Sequence, residues 1–426
     1  MAAQRRRVAV IGAGVAGLTA AHVLRRECEV WLYEADTRLG GHAHTHDVTG
    51  SDGRTHRVDS GFIVHNRRTY PTLLRLFDEL GVDTQESEMS MSVRCEGCDL
   101  EYAGARGPAG LFARPTTSLR PRALRMFAEV PLFHRRARAL LRRPAPAPEE
   151  APRTLGAFLD AGGFSPYFRR HFVAPLVAAV WSCPARTALD YPAEYLFRFL
   201  DNHGMLSVTG SPRWRTVTGG SREYVRRAAE RLHTVRAAAP VRTVRRFPGG
   251  AEVVTESDES RTFDGVVIAV HPDQALRLLA DATATEKQVL GAFRYSRNPT
   301  VLHTDTSVLP RSRRAHASWN YLMADCDDGD HGVRISYDMN RLQRLDAADR
   351  YLVTLGAADR VDRGRVLAEM VYEHPVYTVA SVAAQRRLPE LDSAEAAFAG
   401  AYHGWGFHED GCASGVRAAG AMGVRW

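Results

Sequence analysis

Glycines 12, 14 and 17 stand directly behind an apolar run, Val8-Ala-Val-Ile11, and in front of a helix-like stretch, Leu18-Thr-Ala-Ala-His-Val-Leu24. Strand, glycine turn and helix in that order bind a pyrophosphate. Gly12 permits the tight turn and Gly14 keeps a Cβ away from the phosphates. Gly17 lets helix and strand pack closely, so the anion meets free N–H groups at the helix N-terminus. Twenty residues past Gly14 the second strand, Val30-Trp-Leu-Tyr33, ends in Glu34, which is placed to accept hydrogen bonds from both ribose hydroxyls. A second glycine pair, in Arg38-Leu-Gly-Gly41, brings another length of backbone to the same dinucleotide. A simple nicotinamide dehydrogenase has no use for it and a flavin dinucleotide does, so FAD is the expected cofactor.

Histidines 42, 44, 46, 65, 203, 403 and 408 fall in or near the loops that follow these glycines and the later ones. Together they offer a base that works close to neutral pH, although any single one is read first as a structural hydrogen-bonding group. Trp181, Tyr321, Tyr402, Trp405 and Phe407 are candidate walls of an apolar cavity. His65, His203, Tyr321, His403, Trp405 and Phe407 are the candidates for the catalytic set, with the base unassigned. Cys95 and Cys98 make one CxxC with no second pair at finger spacing, so no metal is expected and the pair reads as surface thiols in a turn. The six cysteines form no disulfide framework, which suits a reducing, cytoplasmic compartment.

The elements that must position these residues are spread over 426 residues, of which 45% are apolar, enough for two domains with a sizeable core. No apolar run reaches membrane-spanning length, and the arginines before Val8 imitate a signal sequence only superficially. The net charge is +7, and Lys287 is the only lysine among 56 basic residues. Residues 118–143 string Arg120, Arg122, Arg125, Arg135, Arg136, Arg138, Arg142 and Arg143 among apolar positions, a pattern interrupted by Pro131. It is read as an ordinary solvated helix face or as a surface for anionic membrane. No basic groove with interleaved aromatics suggests nucleic acid, and Pro144-Ala-Pro-Ala-Pro148 reads as a flexible loop. Thr218-Gly-Gly-Ser221 is a glycine turn feeding a helix, and 263–270 is an apolar strand ending at His271-Pro272. The glycine-broken stretch 400–420 carries Glu409 and Asp410 into a small-residue helix, which would aim a second helix N-terminus at the cofactor.

With these strings laid out, the chain resembles the flavin-dependent amine oxidase superfamily over essentially its whole length. Within it the chain is most similar to a bacterial branch of FAD-binding proteins associated with cyclopropane and other modified fatty-acid synthesis. The closer likeness rests on Gly40-Gly-His-Ala-His-Thr45, Val58-Asp-Ser-Gly-Phe-Ile-Val-His-Asn66, Phe199-Leu-Asp-Asn-His-Gly204, Trp214-Arg-Thr-Val217, Ala317-Ser-Trp-Asn-Tyr321, Tyr372-Glu-His-Pro375 and Gly406-Phe-His-Glu-Asp-Gly411. The resemblance implies pyrophosphate contacts at Gly12, Ala13, Gly14, Val15, Ala16 and Gly17, and ribose at Glu34. It implies backbone approach to pyrophosphate and flavin around Arg38, Gly40, Gly41 and His42, and adenine at Val241. Gly406, Phe407, His408 and Glu409 would border the ribityl chain and pyrophosphate. Two departures bear on activity. Amine oxidases usually carry arginine where this chain has His42, and they commonly hold a lysine near the flavin, whereas Lys287 reads as an exposed helix start. Phe407 takes the place of one tyrosine of the aromatic cage.

The expected architecture is α/β: a discontinuous Rossmann-like FAD-binding domain over 1–75, 215–290 and 395–426, with an α+β substrate domain over 76–214 and 291–394. The leading expectation is FAD-dependent oxidation of a C–C or C–H bond in a small apolar or lipid substrate, foremost desaturation of an acyl chain. Double-bond isomerisation without net redox change, ordinary amine oxidation, and a non-catalytic flavin-bound partner of a lipid methyltransferase are the alternatives. The expected location is the cytoplasm, with peripheral contact at the inner membrane face as a candidate.

Overall fold

The computed structural model describes residues 5–143, 153–207, 210–327 and 332–426, so the Pro144-to-Pro148 stretch lies outside the described residues. A five-stranded sheet organises the nucleotide-binding half. Its order across the sheet is Thr234–Arg236, Glu29–Tyr33, Arg7–Ile11, Gly265–Ile268 and Ala396–Phe398. Every pairing is parallel, and the continuous apolar runs of its central strands follow from burial on both faces. Val8 and Val10 face a layer containing helix Val15–Leu24 and helix His408–Ala421. Ala9 and Ile11 face the other way, onto an antiparallel sheet of Val241–Phe247, Gly250–Thr255 and Ser260–Phe263.

The first and last helices touch through glycine. A Cβ on Gly411 would come within 2.7 Å of Val15 Cγ1, and one on Gly415 within 2.3 Å of the Ala16 carbonyl. Small residues in the last helix therefore set the separation, and the N-termini of the two helices end up side by side.

The rest of the chain builds on a seven-stranded sheet ordered Val366–Val376, Arg294–His303, Leu352–Leu355, Ile335–Asp338, Trp319–Met323, Met91–Cys95 and Leu100–Ala103. Helices Pro121–Leu141, Leu155–Ala161, Ala174–Trp181 and Ala193–Asn202 share one core with it. Phe133 is the hub of that core, with the rings of Phe158, Phe164, Phe168 and Phe197 at 6.1, 5.9, 5.7 and 5.5 Å. Edge-to-face and tilted rings at such spacing add to the stabilisation from burial alone.

The basic helix differs from its sequence reading at one point: it continues through Pro131. Proline removes one helical hydrogen bond, and here it lies on the exposed side, where water replaces the lost partner. The apolar face of this helix, Ala123, Met126, Phe133, Ala137 and Leu140, is buried in the core, leaving the arginines with exposed Leu119 and Leu124 outside. Among the described residues no helix is long and apolar enough to cross a membrane.

The reading of Cys95 and Cys98 as surface thiols that lack further metal ligands needs correction. Cys95 is buried, and the fold brings His171 and Cys326 to the pair from 73 and 231 residues away in sequence. Spacing along the chain could not show this, because the missing ligands arrive through sheet pairing and a helix turn.

Candidate active site

The first glycine cluster separates into two kinds of glycine. Gly12 has φ +101°, and a Cβ there would strike the Ala269 carbonyl oxygen at 2.6 Å; a Cβ on Gly17 would lie 1.9 Å from the Gly12 carbonyl oxygen. Both are required by the fold itself. A Cβ on Gly14 would meet no protein atom within 4 Å, and its φ of −70° suits any residue. Its missing side chain therefore answers to a ligand that passes over the turn, which is how a pyrophosphate cradle is built. The residues fit a dinucleotide.

Around this turn the backbone is locked. Gly40 N–H donates to the Ala13 carbonyl at 2.9 Å, and a Cβ on Gly41 would stand 3.3 Å from Gly14 Cα, so the two glycine stretches meet. Arg38 holds the second stretch by donating to the carbonyls of Leu39, Gly41 and Ala43 at 3.2, 2.8 and 3.0 Å. Glu34 Oε2 accepts from Ala13 N–H at 2.8 Å and Oε1 from Asp36 N–H at 3.0 Å. Ala13 thus spends its N–H on Glu34 and contributes position, leaving Gly14, Val15 and Ala16 as the helix N-terminal donors. Ala239 N–H donates to the Glu34 carbonyl, which sets half-buried Val241 beside the same sheet edge.

At the C-terminal loop, Gly406 has φ +92° and packs so tightly that a Cβ would reach Pro375 and Tyr377 within 2.9 Å. Phe407 caps the last helix, its N–H donating to Asp410 Oδ2 at 2.9 Å. Burial raises the Asp410 carboxyl to about 7, with the Phe407 amide pulling the other way. His408 stacks on Phe62 at 3.7 Å and its Nε2 lies 3.1 Å from the Tyr224 hydroxyl. Glu409 departs from expectation. Its two carboxylate oxygens accept from the Thr72 and Leu73 amides, each at 2.9 Å, so the side chain caps helix Pro71–Leu80 instead of reaching toward a ribityl chain. That helix has no side-chain cap of its own, which explains the recruitment.

The aromatic candidates divide. Phe407 stacks on Phe199 at 4.8 Å, Trp181 lies 6.3 Å from Phe407, and Trp405 lies 6.0 Å from Phe199. Trp181 Nε1 donates to the Trp405 carbonyl at 3.1 Å, which ties the wall to the loop. His203 stacks on Phe199 at 4.0 Å and lies 6.2 Å from Phe407. Tyr402 does not join them: it packs edge-on to Phe293 at 5.3 Å in the core behind the parallel sheet. Tyr321 lies in the seven-stranded sheet, in register with Val93 and Ile335. His403 is drawn away as well, its Nδ1 3.0 Å from Arg417 Nη2, which donates to it.

A second group of histidines surrounds the second glycine stretch. His42 lies 5.1 Å from the Tyr372 ring and 5.3 Å from His374. His374 Nδ1 is 2.9 Å from Asn298 Nδ2, and the Tyr372 hydroxyl bridges Ser60 Oγ at 2.6 Å and His44 Nδ1 at 3.1 Å. Burial, ahead of the unfavourable proximity of other histidines, lowers His42 to about 4 and His374 to about 3, so both imidazoles are neutral in neutral solution. His65 is fully buried among Tyr70 and Phe77, its pKa lowered by burial to about 4. Tyr372, His374 and Asn298 were not among the residues singled out from sequence; the string Tyr372-Glu-His-Pro375 was the available signal for two of them.

A parallel sheet with a two-sided glycine cradle at its carboxyl edge, under a cap built on a second sheet, defines a dinucleotide-binding flavoprotein fold. The chain belongs to the family of flavin-containing amine oxidoreductases, whose profile matches residues 15–423. The family is flavin-dependent, and the two-sided glycine cradle of this chain fits FAD. The chain is 28% identical over 278 residues to a Mycobacterium tuberculosis protein that bears the name flavin-containing monoamine oxidase AofH, covering 62% of this chain and 56% of that protein. It is 29% identical over 287 residues to carotenoid phi-ring synthase of Streptomyces griseus, covering 64% and 54%. The chain spans about half the length of the curated relatives it matches. Among solved structures, the CLA-producing fatty acid isomerase from P. acnes superposes with a TM-score of 0.69 at 15% identity, covering 96% of this chain and 97% of that one.

Proposed function

We propose that this flavoprotein oxidises a C–C or C–H bond of an apolar substrate, foremost by introducing a double bond into a fatty acyl chain. The observation that carries the proposal is the wall of Phe199, Trp181, Trp405 and Phe407 beside the N-terminus of the last helix. Such a wall binds hydrocarbon and excludes water. Lys287 supports the same reading, since it is exposed on helix Ala284–Leu290, which belongs to the core behind the sheet. When bound, FAD supplies a two-electron acceptor for hydride from carbon. The chain's own part is to hold the hydrocarbon in place and to receive the accompanying proton. His42 and His374 are unprotonated near pH 7 and so have room for that proton, and the burial that lowers them to about 4 and about 3 makes both weak bases. Relatives named for carotenoid and fatty-acid chemistry support an apolar substrate.

Isomerisation is the second reading, favoured by the likeness in fold to the fatty acid isomerase. There the hydrogen removed from one carbon returns to another and no electrons leave. Mass spectrometry of lipids from cells with and without the gene separates the two. Desaturation predicts acyl chains lighter by the mass of two hydrogens; isomerisation predicts equal mass with a shifted double bond. Unchanged lipids would contradict both.

A further inference from the structure

A second site lies outside the flavin cradle. Cys95 ends strand Met91–Cys95, and Cys98 stands in the turn before Leu100–Ala103. Cys326 follows strand Trp319–Met323, which runs parallel to Met91–Cys95 with Met323 in register with Cys95. Parallel strands deliver their following loops to the same edge, so Cys326 arrives where the CxxC turn begins. His171 comes from the helical cap, on the π-helical turn Arg169–Val173, a form of helix often found at functional sites. The four ligand atoms all lie within 4.8 Å of one another.

Two of the six ligand-to-ligand distances are those of a tetrahedral metal centre. Zinc bonds of about 2.3 Å to sulfur and about 2.0 Å to nitrogen place tetrahedral sulfurs about 3.8 Å apart and a sulfur about 3.5 Å from the nitrogen. Cys95 Sγ and Cys326 Sγ are 3.8 Å apart, and Cys98 Sγ is 3.6 Å from His171 Nε2. A disulfide would need about 2.05 Å. His171 Nδ1 lies 3.1 Å from the Tyr167 carbonyl oxygen, to which it donates, and this fixes Nε2 as the free ligand atom. The ring also stacks on Tyr167 at 3.9 Å, and the Tyr167 hydroxyl reaches Cys98 Sγ at 3.3 Å. The turn itself is shaped for the purpose. Asp99 adopts φ +54°, and Gly97 lies so close to the Cys326 loop that a Cβ would stand 2.8 Å from Asp325 Cα.

The geometry points to a structural zinc site in which Zn²⁺ is held by the thiolates of Cys95, Cys98 and Cys326 and by Nε2 of His171. Binding displaces the three thiol protons and oxidises nothing. Around the resulting negative centre stand Arg120, which donates to the Cys98 carbonyl, and Arg114 and Arg311, both paired with Asp99. Four protein ligands leave no open position, so the metal acts as a staple that fixes the helical cap to the seven-stranded sheet.

The test uses flavin-loaded protein expressed in zinc-supplemented medium and purified without chelator. Elemental mass spectrometry is expected to find about one zinc per chain, released when a mercurial titrates the thiols. Cobalt-substituted protein should show thiolate charge-transfer and tetrahedral ligand-field bands. Cys326→Ser and His171→Ala should each lower zinc content by about tenfold or more while the ratio of flavin to protein stays the same. Should either variant fail to fold, the wild-type stoichiometry and the cobalt spectrum still decide. Zinc below about a tenth per chain, whether with all three thiols of the site free or with a Cys95–Cys326 disulfide, overturns the proposal, and so does iron as the occupant.

Discussion

Gly14 and Gly17 are separated by three positions and have different reasons to be glycine. Gly17→Ala would drive a methyl group into the Gly12 carbonyl, whereas the Cβ of Gly14→Leu meets no atom of the described residues within 4 Å. Gly14→Leu is therefore expected to keep the melting temperature of flavin-free protein and to weaken FAD binding by about a hundredfold or more. A yellow Gly14→Leu protein with wild-type flavin content would contradict the cradle. Glu409→Ala removes the cap from helix Pro71–Leu80 and should cost about 2 kcal/mol in urea unfolding, since two amides lose a charged acceptor. His65 carries a pH prediction. Its imidazole titrates near 6.5 when unfolded and near 4 when folded, so stability falls as pH drops through that window, by an amount on the order of 3 kcal/mol. His65→Phe should flatten this part of the stability profile. Parallel wild-type and variant curves would show that His65 is not neutral in the native state. The glycines and Glu34 were legible because strand, turn and acidic partner lie within one short stretch. The role of Glu409 was not, because its partners Thr72 and Leu73 lie 337 and 336 residues away.

At the scale of elements, hydrophobic pattern located the three inner parallel strands and the first and last helices, because a fully buried strand and a small-residue helix leave distinct compositions; the three-residue edge strands Thr234–Arg236 and Ala396–Phe398 were too short to leave one. Pattern also located the basic helix Pro121–Leu141, though not its passage through Pro131, which depends on which side faces water. The apolar face of that helix is buried in the protein core, so any membrane contact must be electrostatic. We propose that its exposed arginines dock on anionic lipid, each near the surface contributing about 1 kcal/mol. Co-sedimentation with anionic vesicles at low salt and release at high salt are expected. Equal recovery with neutral and anionic vesicles would reduce the face to ordinary solvated surface. The zinc ligands belong to this scale too. A CxxC was visible in the sequence, but only the parallel pairing of Trp319–Met323 with Met91–Cys95 and the turn at His171 complete the set.

For the whole molecule, the arrangement is a locked dinucleotide cradle on one sheet, an aromatic wall beside it, and a helical cap fastened to a second sheet. The cradle is common to a family; the wall and the exposed position of Lys287 are the features on which the proposed reaction rests. Replacing Phe407 by Tyr would add a hydroxyl to a wall built of hydrocarbon, and it should raise the KM for an acyl substrate more than it lowers kcat. The most direct measurement mixes the flavin-loaded protein anaerobically with simple primary amines and, separately, with unsaturated acyl lipids, and follows the oxidised flavin absorbance before product analysis. No bleaching by amines is expected, and bleaching by lipid with a new double bond in the product. Rapid bleaching by a small amine with formation of an imine would contradict it and return the protein to ordinary amine oxidation.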